Sequence, residues 1–143
     1  MIEFTIRGNP VPAGRPRATT RNGNVRMYDP AKSRHFKQYV KLAASQYAPE
    51  ELITGPIFLE VNIFRPIPKS FSKKKMTEDE EMKIRPITKP DASNFVKLVE
   101  DALNGVIYKD DSQIVSLVVH KFYSGSPRIK VLVDEIEAGE RIG

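Results

Sequence analysis

Between residues 91 and 103 the apolar side chains Phe95, Leu98, Val99, Ala102 and Leu103 fall at i, i+3, i+4, i+7 and i+8. That spacing lays one apolar stripe along an α-helix, and such a stripe has to be buried against another element. The rest of the chain offers mainly strands. Ile2, Phe4 and Ile6 alternate with Glu3, Thr5 and Arg7. From 57 to 64 the residues Ile57, Leu59, Val61 and Ile63 share one face. Both patterns have the two-residue period of a half-buried strand. Residues 114–123 are mostly apolar and β-branched, and Ser124-Gly125-Ser126-Pro127 turns the chain. Ile129, Val131 and Val133 then alternate to about Glu137, which predicts a hairpin partner for 114–123. Asp29-Pro30 reads as a helix start. Phe36, Tyr39, Val40, Ala43 and Tyr47 continue that helix to about Ala48, before Pro49.

The order β-α-β-(α)-α-β-β predicts an α+β fold: a small mixed β-sheet packed by two to three helices on one face. At 143 residues, 40% of them hydrophobic, a single domain over 1–143 is expected. Asn104-Gly105 marks the end of the 91–103 helix. Residues 138–143 are expected to fray.

Two stretches lack sustained periodicity. Residues 10–29, rich in Pro, Gly, Asn, Thr and Arg, are expected to form a long, flexible basic loop. Residues 66–90 hold Lys73-Lys74-Lys75 and then Glu78-Asp79-Glu80-Glu81. Thr77 with Glu80 has the form of a capping box and predicts a short helix there.

With no cysteine, disulfides, thiolate zinc sites and a cysteine nucleophile are excluded. No apolar run approaches membrane-spanning length. The N-terminus lacks the regions of a signal peptide, so a cytoplasmic protein is expected. The net charge is +5, which favours a polyanionic partner. The cations crowd the first forty-one residues: Arg7, Arg15, Arg17, Arg21, Arg26, Lys32, Arg34, Lys37 and Lys41 stand against Glu3 and Asp29.

Against that background the acids of 89–111 stand out. Asp91, Asn94, Lys97 and Asp101 share a polar edge of the predicted helix, away from its apolar stripe. Asp110-Asp111 follows the turn after that helix. Two converging aspartates meet the minimum for magnesium, which takes one or two carboxylates plus water and phosphate. Lys97 on the same edge suits a scissile phosphate. Simpler roles exist for each residue. Asp91 fits a helix N-cap, Lys97 with Asp101 an ordinary i, i+4 ion pair, and Asp110-Asp111-Ser112 a turn. His35 and His120 have no ligand spacing, and Ser93 has no nearby histidine partner to make it a nucleophile.

The residues that carry this chemistry also resemble a known family. Lys89-Pro90-Asp91-Ala92-Ser93-Asn94, Lys97, Asp101-Ala102-Leu103-Asn104-Gly105 and Tyr108-Lys109-Asp110-Asp111-Ser112-Gln113-Ile114 are similar to the RusA family of phage-derived Holliday-junction resolvases. The opening Gly8-Asn9-Pro10-Val11-Pro12-Ala13-Gly14-Arg15-Pro16-Arg17 resembles that family as well. The resemblance implies a small α+β homodimer that binds four-way DNA junctions. It also implies paired, magnesium-dependent nicks in recombination and repair, with Mn2+ as a substitute metal. The family's catalytic residues fall on Asp91, Lys97 and Asp111, with Asp110 beside the last. Its second metal-ligand aspartate falls on Ser93, a neutral and weaker donor. Two outcomes stay open. Either Asp110, Asp101 or water completes the site and the protein cuts, or it binds junctions with weak or no cleavage. Arg15, Arg17, Arg21 and Arg26 are expected on DNA phosphates, with Lys73, Lys74 and Lys75 extending the track.

Overall fold

The computed structural model describes residues 1–14, 19–21, 24–26, 30–80 and 84–137. Strands β1 (Ile2–Arg7), β4 (Ile57–Pro66), β5 (Ile114–Ser124) and β6 (Arg128–Glu135) form one sheet, in the order β1-β6-β4-β5. Strands β2 (Thr19–Arg21) and β3 (Asn24–Arg26) form a separate antiparallel pair. Helices α1 (Pro30–Ser45), α2 (Lys73–Glu80) and α3 (Ala92–Leu103) and a 3₁₀ turn (Asp111–Gln113) complete the described elements. The α+β class and the mixed sheet agree with expectation. Strand β6 is antiparallel to both β1 and β4, whereas β4 and β5 run parallel.

One strand pairing differs from the expected hairpin. β6 follows β5 in the chain but pairs with β4 and β1, crossing β4 rather than lying beside β5. Burial explains the choice. Ile129, Val131 and Val133 of β6 and Leu59, Val61 and Ile63 of β4 are at most 2% exposed, a degree of covering that central strands provide. β5 takes the edge, where Val115 and Leu117 stay 65% and 44% exposed. Parallel strands need a long crossover, and the segment through α2 and α3 supplies it.

Helices α1 and α3 pack on each other, α1 against β1 and α3 against β4 and β5. Their apolar stripes, Phe36, Val40 and Ala44 from α1 and Phe95, Leu98, Val99 and Ala102 from α3, meet the inward residues of the sheet in one core. Burying a side chain such as Leu98 contributes about 1.5–3 kcal/mol, and Leu98→Ala would cost about 2–5 kcal/mol. α3 ends as expected at Asn104-Gly105. Gly105 has φ 75°, in the left-handed region that glycine enters without strain.

Three local expectations are revised. Part of the segment expected as an irregular loop pairs as β2 and β3, and the intervening Asn22-Gly23 dipeptide is a hairpin signal. α1 stops at Ser45, because the chain tightens through Gln46 N–H to Ala43 O and Tyr47 N–H to Ala44 O. α2 begins at Lys73, so its cap is Ser72, whose Oγ accepts from Lys75 N–H at 3.2 Å, and not Thr77. The expected frayed tail at 138–143 lies outside the described residues.

Candidate active site

Asp91 occupies the N-cap of α3, with extended backbone (φ −67°, ψ 150°). Its carbonyl accepts from Asn94 N–H at 3.1 Å and Phe95 N–H at 3.4 Å, which starts the helix. Its carboxylate makes no capping hydrogen bond and is exposed. The simple capping role is therefore not the one this side chain performs. Ser93 is likewise exposed on the first turn.

The turn before Asp91 is fastened to the sheet. Lys121 Nζ of β5 donates to the carbonyls of Thr88 and Pro90, each at 3.1 Å. Arg65 Nη1 of β4 donates to the carbonyl of Lys89 at 3.2 Å. On its other side α3 receives the N-terminal segment, where Ala13 N–H donates to Asn94 O at 2.9 Å and Gly14 N–H to Ser33 Oγ at 3.2 Å. The chain thus reaches Gly14 beside the first turn of α3. Arg15 and Arg17 follow and lie outside the described residues, as do the side chains of Arg21 and Arg26. Lys73, Lys74 and Lys75 form the first turn of α2 and are exposed, with Lys75 Nζ 5.6 Å from the Phe71 ring centroid.

Further along the same helix, Lys97 Nζ stands 3.6 Å from Asp101 Oδ1, so the i, i+4 ion pair forms. Beside it is Glu100, which sequence reasoning passed over. Partial burial raises its carboxyl pKa; Asp111 and Asp101 raise it further, while Lys97 opposes them. The Asp111 carboxylate therefore acts on the third turn of α3. Tyr108 is fully buried there and donates its hydroxyl to Glu100 O at 2.7 Å. Burial, then Glu100, Asp111, Asp101 and Asp110, push its phenol well above the ordinary tyrosine range.

Asp110 and Asp111 are placed by a 3₁₀ turn, Asp111–Gln113. Asp110 caps it. Its Oδ2 accepts from Ser112 N–H at 3.0 Å, and hydrogen bonding from the Ser112 side chain, then from this N–H, holds its carboxyl below the usual range. Among the described residues Asp111 has no such partner, and it sits half-buried next to α3.

The arrangement gathers hard oxygen donors on and beside α3. Asp91 stands at the N-cap, Lys97 pairs with Asp101 further along, and the 3₁₀ turn that bears Asp111 contacts the same helix. Among the described residues no group of three or more His, Asp or Glu side chains converges to hold a metal. The donors suit a magnesium ion that draws most of its shell from water and phosphate, and not a closed protein cage. The residues missed from sequence are Glu100, Tyr108, Lys121 and Arg65. Glu100, three residues after Lys97, carried the one local signal.

A DNA-cutting protein is the class that fits a basic chain with an exposed aspartate at the head of a helix and an exposed lysine further along it. Residues 7–134 match the family model described as Endodeoxyribonuclease RusA. The chain belongs to the RusA family, endodeoxyribonucleases that act on branched DNA. It is also 57% identical over 139 residues to the uncharacterized protein YqaN of Bacillus subtilis (strain 168), covering 96% of this chain and 98% of that one. Among the described residues, no helix is long and apolar enough to cross a membrane.

Proposed function

We propose that this chain is a divalent-metal-dependent endonuclease that resolves four-way DNA junctions by paired nicks, acting as a homodimer in cytoplasmic recombination and repair. The observation that carries this is the Asp91 carboxylate, exposed and without a capping hydrogen bond, at the head of the helix that also bears Lys97. Asp91 and Asp111 would hold a magnesium or manganese ion, with Ser93 as a neutral donor. Asp110 contributes less, because Ser112 already occupies one of its oxygens. When bound, such an ion activates water and stabilises the leaving oxygen of a phosphodiester. Lys97 exchanges Asp101 for a phosphate oxygen and neutralises charge there. Arg15, Arg17, Arg21 and Arg26 bind phosphates and make affinity fall steeply with salt. Lys73, Lys74 and Lys75 extend that contact. One chain carries one such site, so two opposed cuts need a two-fold pair.

The test is a nicking assay on a synthetic four-way junction with Mg2+ or Mn2+. Paired nicks that vanish in EDTA and in Asp91→Asn are expected. Product that persists in either sinks the metal mechanism. A second reading, junction binding with weak or no cleavage, is favoured by Ser93 and by the lack of a three-acid cluster among the described residues. It predicts junction binding without nicks under either metal.

A further inference from the structure

An aspartate that caps its own helix has its oxygens occupied by backbone N–H groups. Asp91 sits at the capping position and makes no such bond, so something else must fix the path of the chain into α3. The three carbonyls before it supply the answer. Those of Thr88, Lys89 and Pro90 each accept a hydrogen bond from a cationic side chain of the sheet: Lys121 at 3.1 Å, Arg65 at 3.2 Å and Lys121 again at 3.1 Å. Hydrogen bonds with an ionised partner are roughly twice as strong as neutral ones.

The sheet register places both cations. In the parallel β4–β5 pair Lys121 lies opposite Ile63, and Arg65 opposite Tyr123. The two cations are therefore one two-residue step apart on adjacent strands, on the face where α3 packs. Each is further held. The Lys121 carbonyl accepts from Arg85 Nε at 2.8 Å, and the Arg85 guanidinium lies 4.1 Å from the Phe122 ring centroid. Arg65 lies 5.8 Å from the centroid of Phe95, a buried residue of α3 itself.

We propose that Lys121 and Arg65 are positioning residues for Asp91: they clamp the Thr88–Pro90 carbonyls in place of a side-chain cap and so leave the Asp91 carboxylate free of a capping bond. This deepens the reading of Asp91 as the metal-holding acid and rests on it. The rival role, contact with DNA phosphate, is disfavoured because the Lys121 ammonium is already engaged with two carbonyls.

The experiment uses the full chain with Lys121→Met, Lys121→Arg and Arg65→Met. Three quantities are measured: turnover at saturating four-way junction with Mg2+, junction affinity and its salt slope in EDTA, and Mn2+ affinity from broadening of the amide signals of residues 91–97. Lys121→Met is expected to lose about 10–100-fold in turnover and in Mn2+ affinity, as loss of a group that orients a metal ligand does. Junction affinity and salt slope stay at the wild-type values. Arg65→Met shifts the same way and Lys121→Arg recovers most of the loss. A salt slope reduced by about one in Lys121→Met would make the residue a phosphate contact and overturn the clamp. Wild-type turnover and Mn2+ affinity in Lys121→Met would overturn it as well. Should Lys121→Met fail to fold, Arg65→Met is read by the same criteria. If the wild type cuts nothing but its Mn2+ affinity still depends on Lys121, the nuclease reading fails and the clamp stands. If the wild type cuts and Lys121→Met matches it, only the clamp fails.

Discussion

Asp110 and Gln113 cap the same 3₁₀ turn reciprocally: Gln113 Oε1 accepts the Asp110 N–H at 2.8 Å, while the Asp110 carboxylate closes back on the turn. Adjacent aspartates thereby acquire different tasks, because Asp110 holds the turn and Asp111 is left to face α3. Asp111→Asn should lower junction cleavage on the order of 10²–10³-fold with little change in the denaturation midpoint. Asp110→Asn should do the reverse, lowering the midpoint and leaving most activity. Parallel nicking assays and urea melts on the two variants check this, and equal activity losses would contradict it.

Gln113 also ties that turn to the segment before β4. Its Nε2 donates to Ile53 O at 2.8 Å and to Gly55 O at 3.0 Å. Gln113→Ala leaves these carbonyls and the Asp110 N–H without their partner, at a cost of about 1–3 kcal/mol. Because Asp111 moves with the turn, maximal turnover should fall while junction affinity holds.

The acids on the tail of α3 predict a pH dependence. Burial and the neighbouring acids raise the Glu100 carboxyl above its ordinary value of 4.5. The unfolded chain therefore releases this proton first. This group's effect on stability declines as pH rises from the ordinary value through the folded one, and is constant above that. Glu100→Gln should be more stable than wild type at about pH 7 and show no such advantage at about pH 4. Mg2+ bound near these acids would shrink the difference. Urea midpoints at both pH values, with and without Mg2+, measure it.

Tyr108 tests the packing beneath the site. Its buried hydroxyl donates to Glu100 O at 2.7 Å, so Tyr108→Phe should cost about 1–3 kcal/mol through the unpartnered carbonyl. In the wild type the phenol should not ionise before the protein unfolds, because its pKa is raised far above the usual range by burial and by four surrounding acids. An alkaline absorbance titration followed beside circular dichroism would show both events together.

Ser93 is exposed on the first turn of α3, where a negative charge is favoured by about 0.3–1 kcal/mol. Ser93→Asp should therefore not destabilise the fold. It should reduce the Mg2+ needed for half-maximal cleavage, since affinity for hard cations rises with ligand charge. An unchanged metal requirement would mean that the site is complete without this donor.

Local periodicity made most elements readable. The stripe of Phe95, Leu98, Val99 and Ala102 marked α3, and the alternation of Ile57, Leu59, Val61 and Ile63 marked β4. Gly105 marked the helix end because only a left-handed residue continues the chain there. Pairing was less readable. Ile129, Val131 and Val133 alternate in the same way whether β6 lies beside β5 or between β1 and β4, so the pattern assigns a face and not a neighbour. The small hairpin of β2 and β3 was signalled by Asn22-Gly23, without the flanking apolar alternation that usually accompanies it.

The candidate site divides along the same line. The sequence by itself determined that Lys97 and Asp101 are neighbours on α3, since a 3.6-residue repeat fixes which side chains meet within a helix. It also determined that Ser93 stands in the first turn of that helix. Only the tertiary structure decided that Lys121 and Arg65 hold the turn before Asp91, and that Asp111 acts on Glu100. Those relationships depend on β5 lying parallel to β4 after a long crossover, which is set by burial shared among distant segments and not by any local repeat.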